Sequence, residues 1–213
     1  HVAGSWLRLR GGRAYVRSDA ELRLSLRRAD SMAMPIHAPR YTVAQVRAFP
    51  PDGHRYELLD GVLLVTPAPR NLHQVVTTRL TILLYEGLAA SGMGTVVSPG
   101  ELEIGDRTLL DPDILVYPST YPPTTHWKRI REWWLAVEVS SPSSRVYDRE
   151  FKRSAYQNIG VSETWLVDPD TRTIDVWRGR ARPGEVIDHH LVWRPPYSET
   201  PVEISLADIF RDI

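Results

Sequence analysis

The sequence predicts an α/β or α+β domain, built on a mixed β-sheet of roughly six to eight strands that is flanked by helices. Two observations predict this class. Short apolar runs that are typical of strands outnumber the helical patterns, and the helices are interleaved with these runs along the chain. A chain of 213 residues with 42% hydrophobic and 24% charged content is also long enough for one domain with a substantial core.

The first elements are a short helix, a hairpin and a long helix. TVAQVRAF predicts a helix that is capped by Thr42 and stopped by Pro50-Pro51. RYELLDGVLLVTP predicts two strands that turn at Asp60-Gly61, because Asp-Gly between apolar runs is typical of a β-hairpin. NLHQVVTTRLTILLYEGLAASG predicts the longest helix, capped by Asn71, ending near Gly92 and crossing one face of the sheet.

The second half contains more strands and one further long helix. GTVVSP, GELEIGD and LLDPDILVYP predict strands, and WWLAVEV predicts a strand that is buried on both faces. DREFKRSAYQNIG predicts a helix from about Val146 to Asn158 that ends at Gly160. ETWLVDP and TIDVWRG predict a hairpin across Pro169-Asp170, and the tail adds a strand and a terminal helical turn.

Residues 1–33 differ from the rest, so we predict an N-terminal extension there and the main folded domain over residues 34–213. The extension carries seven arginines against three acidic residues, and it predicts a hairpin followed by a short helix. The chain opens on His1, and Met32 and Met34 lie near the boundary. We interpret the extension as an expression remnant or a segment read from an upstream start codon, and a basic DNA-binding arm is the alternative.

Composition excludes several classes of site. Because 26 basic and 26 acidic residues balance, no global field holds a nucleic acid, and DNA binding has to be local. No apolar run approaches the roughly 18 residues of a membrane helix, so we expect no membrane partner. The chain has no cysteine, which excludes thiolate metal sites and cysteine nucleophiles and is typical of a cytoplasmic location.

Three carboxylates lie in or beside apolar strands: Glu57 in YELLDG, Asp113 in DPDILVYP and Glu138 in WWLAVEVSS. A buried ionised carboxylate costs several kcal/mol unless a metal ion or a basic partner compensates it. Each has a structural alternative. Glu57 could face solvent, Asp113 could simply start a strand, and Glu138 could pair with an arginine. Their occurrence together favours one shared site.

The helix after Glu138 contributes a candidate cation. Asp148, Lys152 and Tyr156 are spaced i, i+4 and i+8, so their side chains project from nearly one helix face. Of the 26 basic residues only Lys128 and Lys152 are lysines, which indicates a need for a compact ammonium group. The linker SSPSS is short, so Lys152 can reach the carboxylates. A surface Asp-Lys pair is the alternative.

Carboxylates with a lysine suit Mg²⁺ or Mn²⁺, which take hard oxygen ligands and keep several waters. The lysine would orient or help deprotonate an attacking water and stabilise charge on a pentavalent phosphate, as phosphodiester hydrolysis requires. A carboxylate pair without the lysine would suit a glycosidase, which would stay active in chelator.

Four segments between Tyr41 and Phe210 together resemble the Uma-type putative restriction endonuclease family of the PD-(D/E)XK nuclease superfamily. They are RYELLDGVLLVTPAP, LLDPDILVYP, LAVEVSSPSSRVYDREFKRSAYQNIGVSETWLVDP and TRTIDVWRG. The resemblance implies that residues 34–213 form a restriction-endonuclease-like domain, a mixed β-sheet flanked by helices, with a metal held by Asp113 and Glu138 and help from Glu57. Ser140 stands where the superfamily motif has lysine, so the resemblance maps the lysine of this branch to Lys152.

The resemblance further implies a Mg²⁺- or Mn²⁺-dependent endonuclease that hydrolyses DNA as a homodimer. The catalytic residues it implies are Glu57, Asp113, Glu138 and Lys152, with His73, Tyr156 and Asp148 in supporting positions. His73 could instead satisfy a local polar group, and Tyr156 could be a packing residue. The rival function is a catalytically inactive nuclease-fold protein that acts as a DNA-binding or protein-interaction module.

Overall fold

The computed structural model describes residues 39–89, 91–141, 151–179 and 184–213. Residues Arg40–Ile213 form one compact unit. The hairpin and helix predicted within residues 1–33, and the helix predicted to start near Val146, fall wholly or partly outside the described residues. The boundary between extension and domain therefore stays a prediction.

The described elements follow the predicted order closely. In chain order they are α1 (Val43–Arg47), β1 (His54–Leu59), β2 (Val62–Pro67), α2 (Asn71–Ala89), β3 (Gly94–Val97), β4 (Leu102–Ile104), β5 (Thr108–Leu110), β6 (Ile114–Pro118), a 3₁₀ turn (Trp127–Arg129), β7 (Leu135–Val139), α3 (Arg153–Ile159), β8 (Glu163–Asp168), β9 (Thr173–Arg178), β10 (Glu185–Ile187), β11 (His190–Trp193), β12 (Val202–Ser205) and α4 (Leu206–Ile209).

The predicted mixed sheet is confirmed. Six strands are ordered β10-β9-β8-β7-β6-β3, and β7 and β8 run parallel whereas the other neighbours run antiparallel. The remaining described strands form a four-stranded sheet, β2-β1-β5-β4, and a pair, β11-β12. Sequence periodicity did not separate these sheets, since β1 and β5 meet in a single register pair, Leu58 and Leu109, and short strands carry little register information.

The local signals correspond to definite backbone features. Thr42 and Gln45 form a reciprocal capping box at the start of α1. The β1–β2 turn has positive φ at both Asp60 (49°) and Gly61 (83°), as a two-residue hairpin turn requires. Helix α2 begins at Asn71 itself, so the helix starts one residue earlier than a cap at Asn71 predicts.

Helix α2 covers one face of the six-stranded sheet, as predicted. It buries Val76, Leu80, Leu84 and Leu88 in the main core, which also contains three tryptophans, Trp134, Trp165 and Trp193. No described helix is long and apolar enough to cross a membrane.

A second core lies around β7 and α3. It joins Trp133 and Ala136 to Ala155 and Tyr156, among others. All five residues of β7 are buried, which confirms the strand predicted to be covered on both faces. Glu138 is therefore a buried carboxylate, 3% exposed.

Candidate active site

The candidate site lies where the chain passes from the four-stranded sheet to the six-stranded sheet. Strand β5 ends at Leu110 and β6 begins at Ile114, so the segment 111–113 makes the crossing. Ile114 pairs with Val137 in the antiparallel β6–β7 register, and extending that register by one residue sets Asp113 opposite Glu138. Side chains opposite each other in this way have Cβ atoms about 5 Å apart.

Glu138 accepts hydrogen bonds from Tyr156 of α3 and from Lys152, the residue before that helix. Lys152 Nζ donates to Glu138 Oε1 at 3.1 Å and to Oε2 at 3.2 Å. The Tyr156 hydroxyl donates to Glu138 Oε1 through a short hydrogen bond. Burial first, and then the negative charge of Glu138, raise the pKa of Tyr156 well above its usual value, so this hydroxyl keeps its proton.

Lys152 also joins Glu57 to the site. Its Nζ lies 2.8 Å from Glu57 Oε2, and the backbone N–H of Asp111 donates to Glu57 Oε1 at 2.9 Å. Glu57 is 1% exposed and Lys152 4% exposed, so Glu57 does not face solvent and Lys152 is not part of a surface pair. One buried ammonium thus bridges carboxylates from β1 and β7.

The position of Lys152 follows from the start of α3. The chain enters this helix through a wider, π-type turn at residues 151–152, and the helix ends at Gly160, whose φ of 102° forms the predicted left-handed cap. Tyr156 lies one turn after Lys152 and therefore faces the same way. Asp148, the third residue predicted on this face, lies outside the described residues.

Asp113 is held by three donors. Its Oδ1 accepts from Arg55 Nη1 at 2.8 Å, and its Oδ2 accepts from the backbone N–H of Val139 at 2.8 Å and lies 3.0 Å from His73 Nε2. Burial opposes ionisation, but the hydrogen bonds and charges of His73 and Arg55 outweigh it and lower the pKa of Asp113 to about 2. Asp113 is therefore a carboxylate across the physiological pH range.

Sequence reasoning missed two residues of this site, Arg55 and Asp111. Arg55 precedes Glu57 by two positions, so the period of a strand points both side chains to one face, and this spacing could have identified it. Asp111 stands two residues before Asp113, and no hydrogen bond to its carboxylate occurs among the described residues. Burial first, and then the negative charge of Glu57, raise the pKa of Asp111 to about 7.

The structure brings six of the seven predicted residues together. Those six are Glu57, His73, Asp113, Glu138, Lys152 and Tyr156. His73 and Tyr156 contact Asp113 and Glu138 respectively, so each meets a carboxylate of the site. Their chemical roles stay predictions.

The charges of the described part of the site do not balance. Three carboxylates, on Glu57, Asp113 and Glu138, contact Arg55 or Lys152, and Asp111 adds a carboxyl group whose pKa is raised to about 7. This arrangement leaves a surplus of negative charge, which His73 would reduce in its protonated form.

Asp113 and Glu138 fit a hard divalent cation that keeps water and substrate ligands. Among the described residues, no group of three or more His, Cys, Asp or Glu side chains is arranged to hold a metal ion. Magnesium, however, is usually bound through one or two carboxylates together with waters and substrate phosphates. Two carboxylates on facing strands meet that requirement, although Arg55 and Lys152 donate to them in this structure.

The fold is similar to that of a solved protein titled "Crystal structure of a putative nuclease belonging to DUF820 from Anabaena variabilis ATCC 29413". The TM-score is 0.64 with 21% sequence identity, covering 79% of this chain and 97% of that chain. At this identity the likeness shows the fold class alone.

Residues 43–207 match the model of the Uma2 family, which is described as "Putative restriction endonuclease". The chain belongs to this family, and the family predicted from the sequence motifs is confirmed. No curated protein matches the chain.

Proposed function

We infer that this protein is a Mg²⁺- or Mn²⁺-dependent endonuclease that hydrolyses phosphodiester bonds of DNA. One observation carries the inference: the buried ammonium of Lys152 lies 2.8 Å from Glu57 and 3.1 Å from Glu138, at the strand end where Asp113 faces Glu138. A cation fixed between carboxylates at one edge of a site suits chemistry in which negative charge develops on a phosphate. Membership of the Uma2 family supports the same class.

The surplus of negative charge among the described residues of the site supports a divalent cation as cofactor. Asp113 and Glu138 would hold it, with Glu57 contributing charge beside them. When bound, the cation would supply positive charge toward the phosphate and lower the pKa of an attacking water.

The remaining polar contacts keep these groups in place. The Val139 N–H and His73 fix the orientation of the Asp113 carboxylate, and the Tyr156 hydroxyl fixes that of Glu138. The ammonium of Lys152 is held between Glu57 and Glu138, where its positive charge can act on an incoming phosphate. It would orient the attacking water and stabilise charge on the phosphate.

We propose that Lys152 takes the place of the lysine that the superfamily motif has at position 140. The backbone N–H of Ser140 donates to Val167 O at 2.7 Å, so this position continues the β7–β8 ladder, and the side chain is buried. Lys152 approaches Glu138 from the start of α3 and puts an ammonium beside the carboxylate without a lysine at position 140.

DNA as substrate, a homodimer and a cytoplasmic location complete the proposal. A homodimer suits an enzyme that cuts both strands of a duplex, because a two-fold axis presents the same site to each strand. Sedimentation equilibrium with and without duplex DNA tests the dimer, and a protein that stays monomeric in both conditions contradicts it.

A plasmid-nicking assay with Mg²⁺ or Mn²⁺, against the same reaction in chelator, tests the function. Wild type should nick only with metal, and Glu138→Gln should abolish nicking. The matched control is Glu163→Gln, since Glu163 is also a buried glutamate on the same sheet but bonds to Trp165 and Arg178 instead of Lys152. We expect this control to retain nicking.

Binding of duplex DNA without turnover in either metal would instead identify the non-catalytic module. Nicking that persists in chelator would contradict the metal dependence.

A further inference from the structure

Arg55 occupies the position beside Asp113 that a cation would take. Its Nη1 donates to Asp113 Oδ1 at 2.8 Å, and its Nη2 donates to the backbone oxygen of Asp111 at 2.7 Å. The side chain of Arg55 is 27% exposed whereas that of Asp113 is 5% exposed. Arg55 therefore covers the carboxylate and presents its own edge to solvent.

This contact conflicts with a divalent cation on the same oxygen. The other oxygen of Asp113 already faces two donors, the Val139 N–H and the His73 ring, which leaves Oδ1 as the more accessible ligand atom. A guanidinium and a divalent cation at Oδ1 would repel each other strongly at close range. Binding of the cation therefore requires Arg55 to move away from Asp113.

A guanidinium displaced from Asp113 at a site exposed on one edge can pair with an anion of the substrate, and in a nuclease that anion is a phosphate. We propose that Arg55 is a phosphate-binding residue of the site, and that it exchanges the Asp113 carboxylate for a nucleic-acid phosphate when the divalent cation binds. This inference rests on the proposed nuclease function and deepens it. The planar fork of arginine donates two parallel hydrogen bonds to a phosphate as readily as to a carboxylate.

The exchange couples the two ligands. Without nucleic acid, Arg55 competes with the cation for Asp113, so the affinity for metal is low. With nucleic acid, the phosphate holds Arg55 away and the cation binds more tightly. By linkage the cation raises the affinity for nucleic acid by the same factor, for which about tenfold is a typical coupling.

A purely structural Arg55 gives the opposite result for metal binding. If Arg55 only orients Asp113, its removal misplaces a ligand and weakens metal binding. The sign of the change in metal affinity therefore separates the two roles.

The test is a calorimetric titration of Mn²⁺ into wild type, Arg55→Gln and Arg55→Lys without nucleic acid. Binding of a short fluorescein-labelled DNA duplex is measured by anisotropy on the same three proteins in saturating Mn²⁺, at times before cleavage. Arg178→Gln is the matched control, because Arg178 also bonds to carboxylates, Glu163 and Glu185, near the opposite end of the strands. Circular dichroism establishes that each variant is folded.

We expect Arg55→Gln to bind Mn²⁺ about tenfold more tightly than wild type and the duplex about tenfold more weakly. Arg55→Lys retains the charge but not the planar fork, so it should remain near wild type in metal affinity and bind the duplex more weakly; if the glutamine variant does not fold, wild-type duplex binding by Arg55→Lys overturns the proposal. Metal binding that is unchanged or weaker in Arg55→Gln overturns the proposal, as does unchanged duplex binding.

The outcome is separable from that of the nuclease proposal. Tighter Mn²⁺ binding and weaker duplex binding by Arg55→Gln, with a wild type that cuts no nucleic acid, would retain the exchange and reject the nuclease. Cutting by wild type, with metal affinity reduced in Arg55→Gln, would retain the nuclease and reject the exchange.

Discussion

Replacing Lys152 with methionine removes the buried ammonium while nearly preserving the length of the side chain. Both contacts of the ammonium are short, 2.8 Å to Glu57 and 3.1 Å to Glu138. The substitution leaves two carboxylates, 1% and 3% exposed, without that partner. We therefore expect losses of both stability and catalysis.

The size of the stability loss follows from these distances. At an effective dielectric constant of about 20, the two contacts correspond to attractions of about 6 and about 5 kcal/mol. Desolvation of the ammonium offsets several kcal/mol of this, and breaking a buried ion pair on one side typically costs about 3–5 kcal/mol. We expect Lys152→Met to lose about this amount in free energy of unfolding at neutral pH in chelator.

Urea denaturation measures the loss, and plasmid nicking with Mn²⁺ measures the activity. Nicking should fall by at least about 100-fold, as expected when a proton-transfer group or charge-stabilising group is removed. Mn²⁺ binding should persist, because Asp113 and Glu138 remain. The double variant Lys152→Met with Glu57→Gln should recover part of the stability and none of the activity, since it removes one unpaired charge without restoring the cation.

Two results would contradict the catalytic and the stabilising role that we propose for Lys152. Nicking at the wild-type rate would remove Lys152 from the chemistry. An unchanged free energy of unfolding would show that the ammonium contributes no net stabilisation to the two carboxylates.

Two further predictions concern Asp111 and Tyr156. The pKa of Asp111 is about 7 in the folded state, above its ordinary value of 3.8. Between about pH 4 and about pH 7 the folded state therefore binds a proton at Asp111 that the unfolded state has lost. The free energy of unfolding should fall as pH rises through this range. Asp111→Asn should remove this slope, gaining about 2–4 kcal/mol over wild type at pH 8 in chelator, and parallel urea-stability curves across pH would contradict the assignment. Tyr156→Phe removes the hydroxyl that donates to Glu138 and should lower the free energy of unfolding by about 1–3 kcal/mol in urea denaturation. Nicking should fall less than in Lys152→Met. A larger fall in nicking would make Tyr156 a direct participant in the chemistry.

The sequence was most informative where a residue conflicted with its surroundings. Glu138 in an apolar strand indicated a compensating cation, and Lys152 does lie against it, because a buried charge is tolerated only with a partner. The Asp60-Gly61 turn was predictable from residue type alone, since few residues adopt positive φ easily.

Features that depend on distant pairing were not predictable in this way. The described strands are divided among three sheets by long-range pairing. Strands β1 and β5, for example, meet in one register pair, Leu58 and Leu109, which leaves no periodic signal in either strand. Arg55 and Asp111 were missed because they join the site only where the chain crosses between the sheets. There Arg55 bonds to Asp113, a residue 58 positions later in the chain. The raised pKa of Asp111 likewise arises from burial and the nearby Glu57, which sequence spacing does not reveal.

The central claim is that Asp113 and Glu138 hold a divalent cation in a catalytic site. A calorimetric titration of Mn²⁺ into wild type and Asp113→Asn, with a short duplex present in both, tests it most directly, because asparagine preserves the shape and removes the charge. We expect saturable Mn²⁺ binding to wild type and an affinity for Mn²⁺ that is at least about tenfold weaker in Asp113→Asn. Equal affinity in the two proteins, or no binding to wild type even with the duplex, would contradict it.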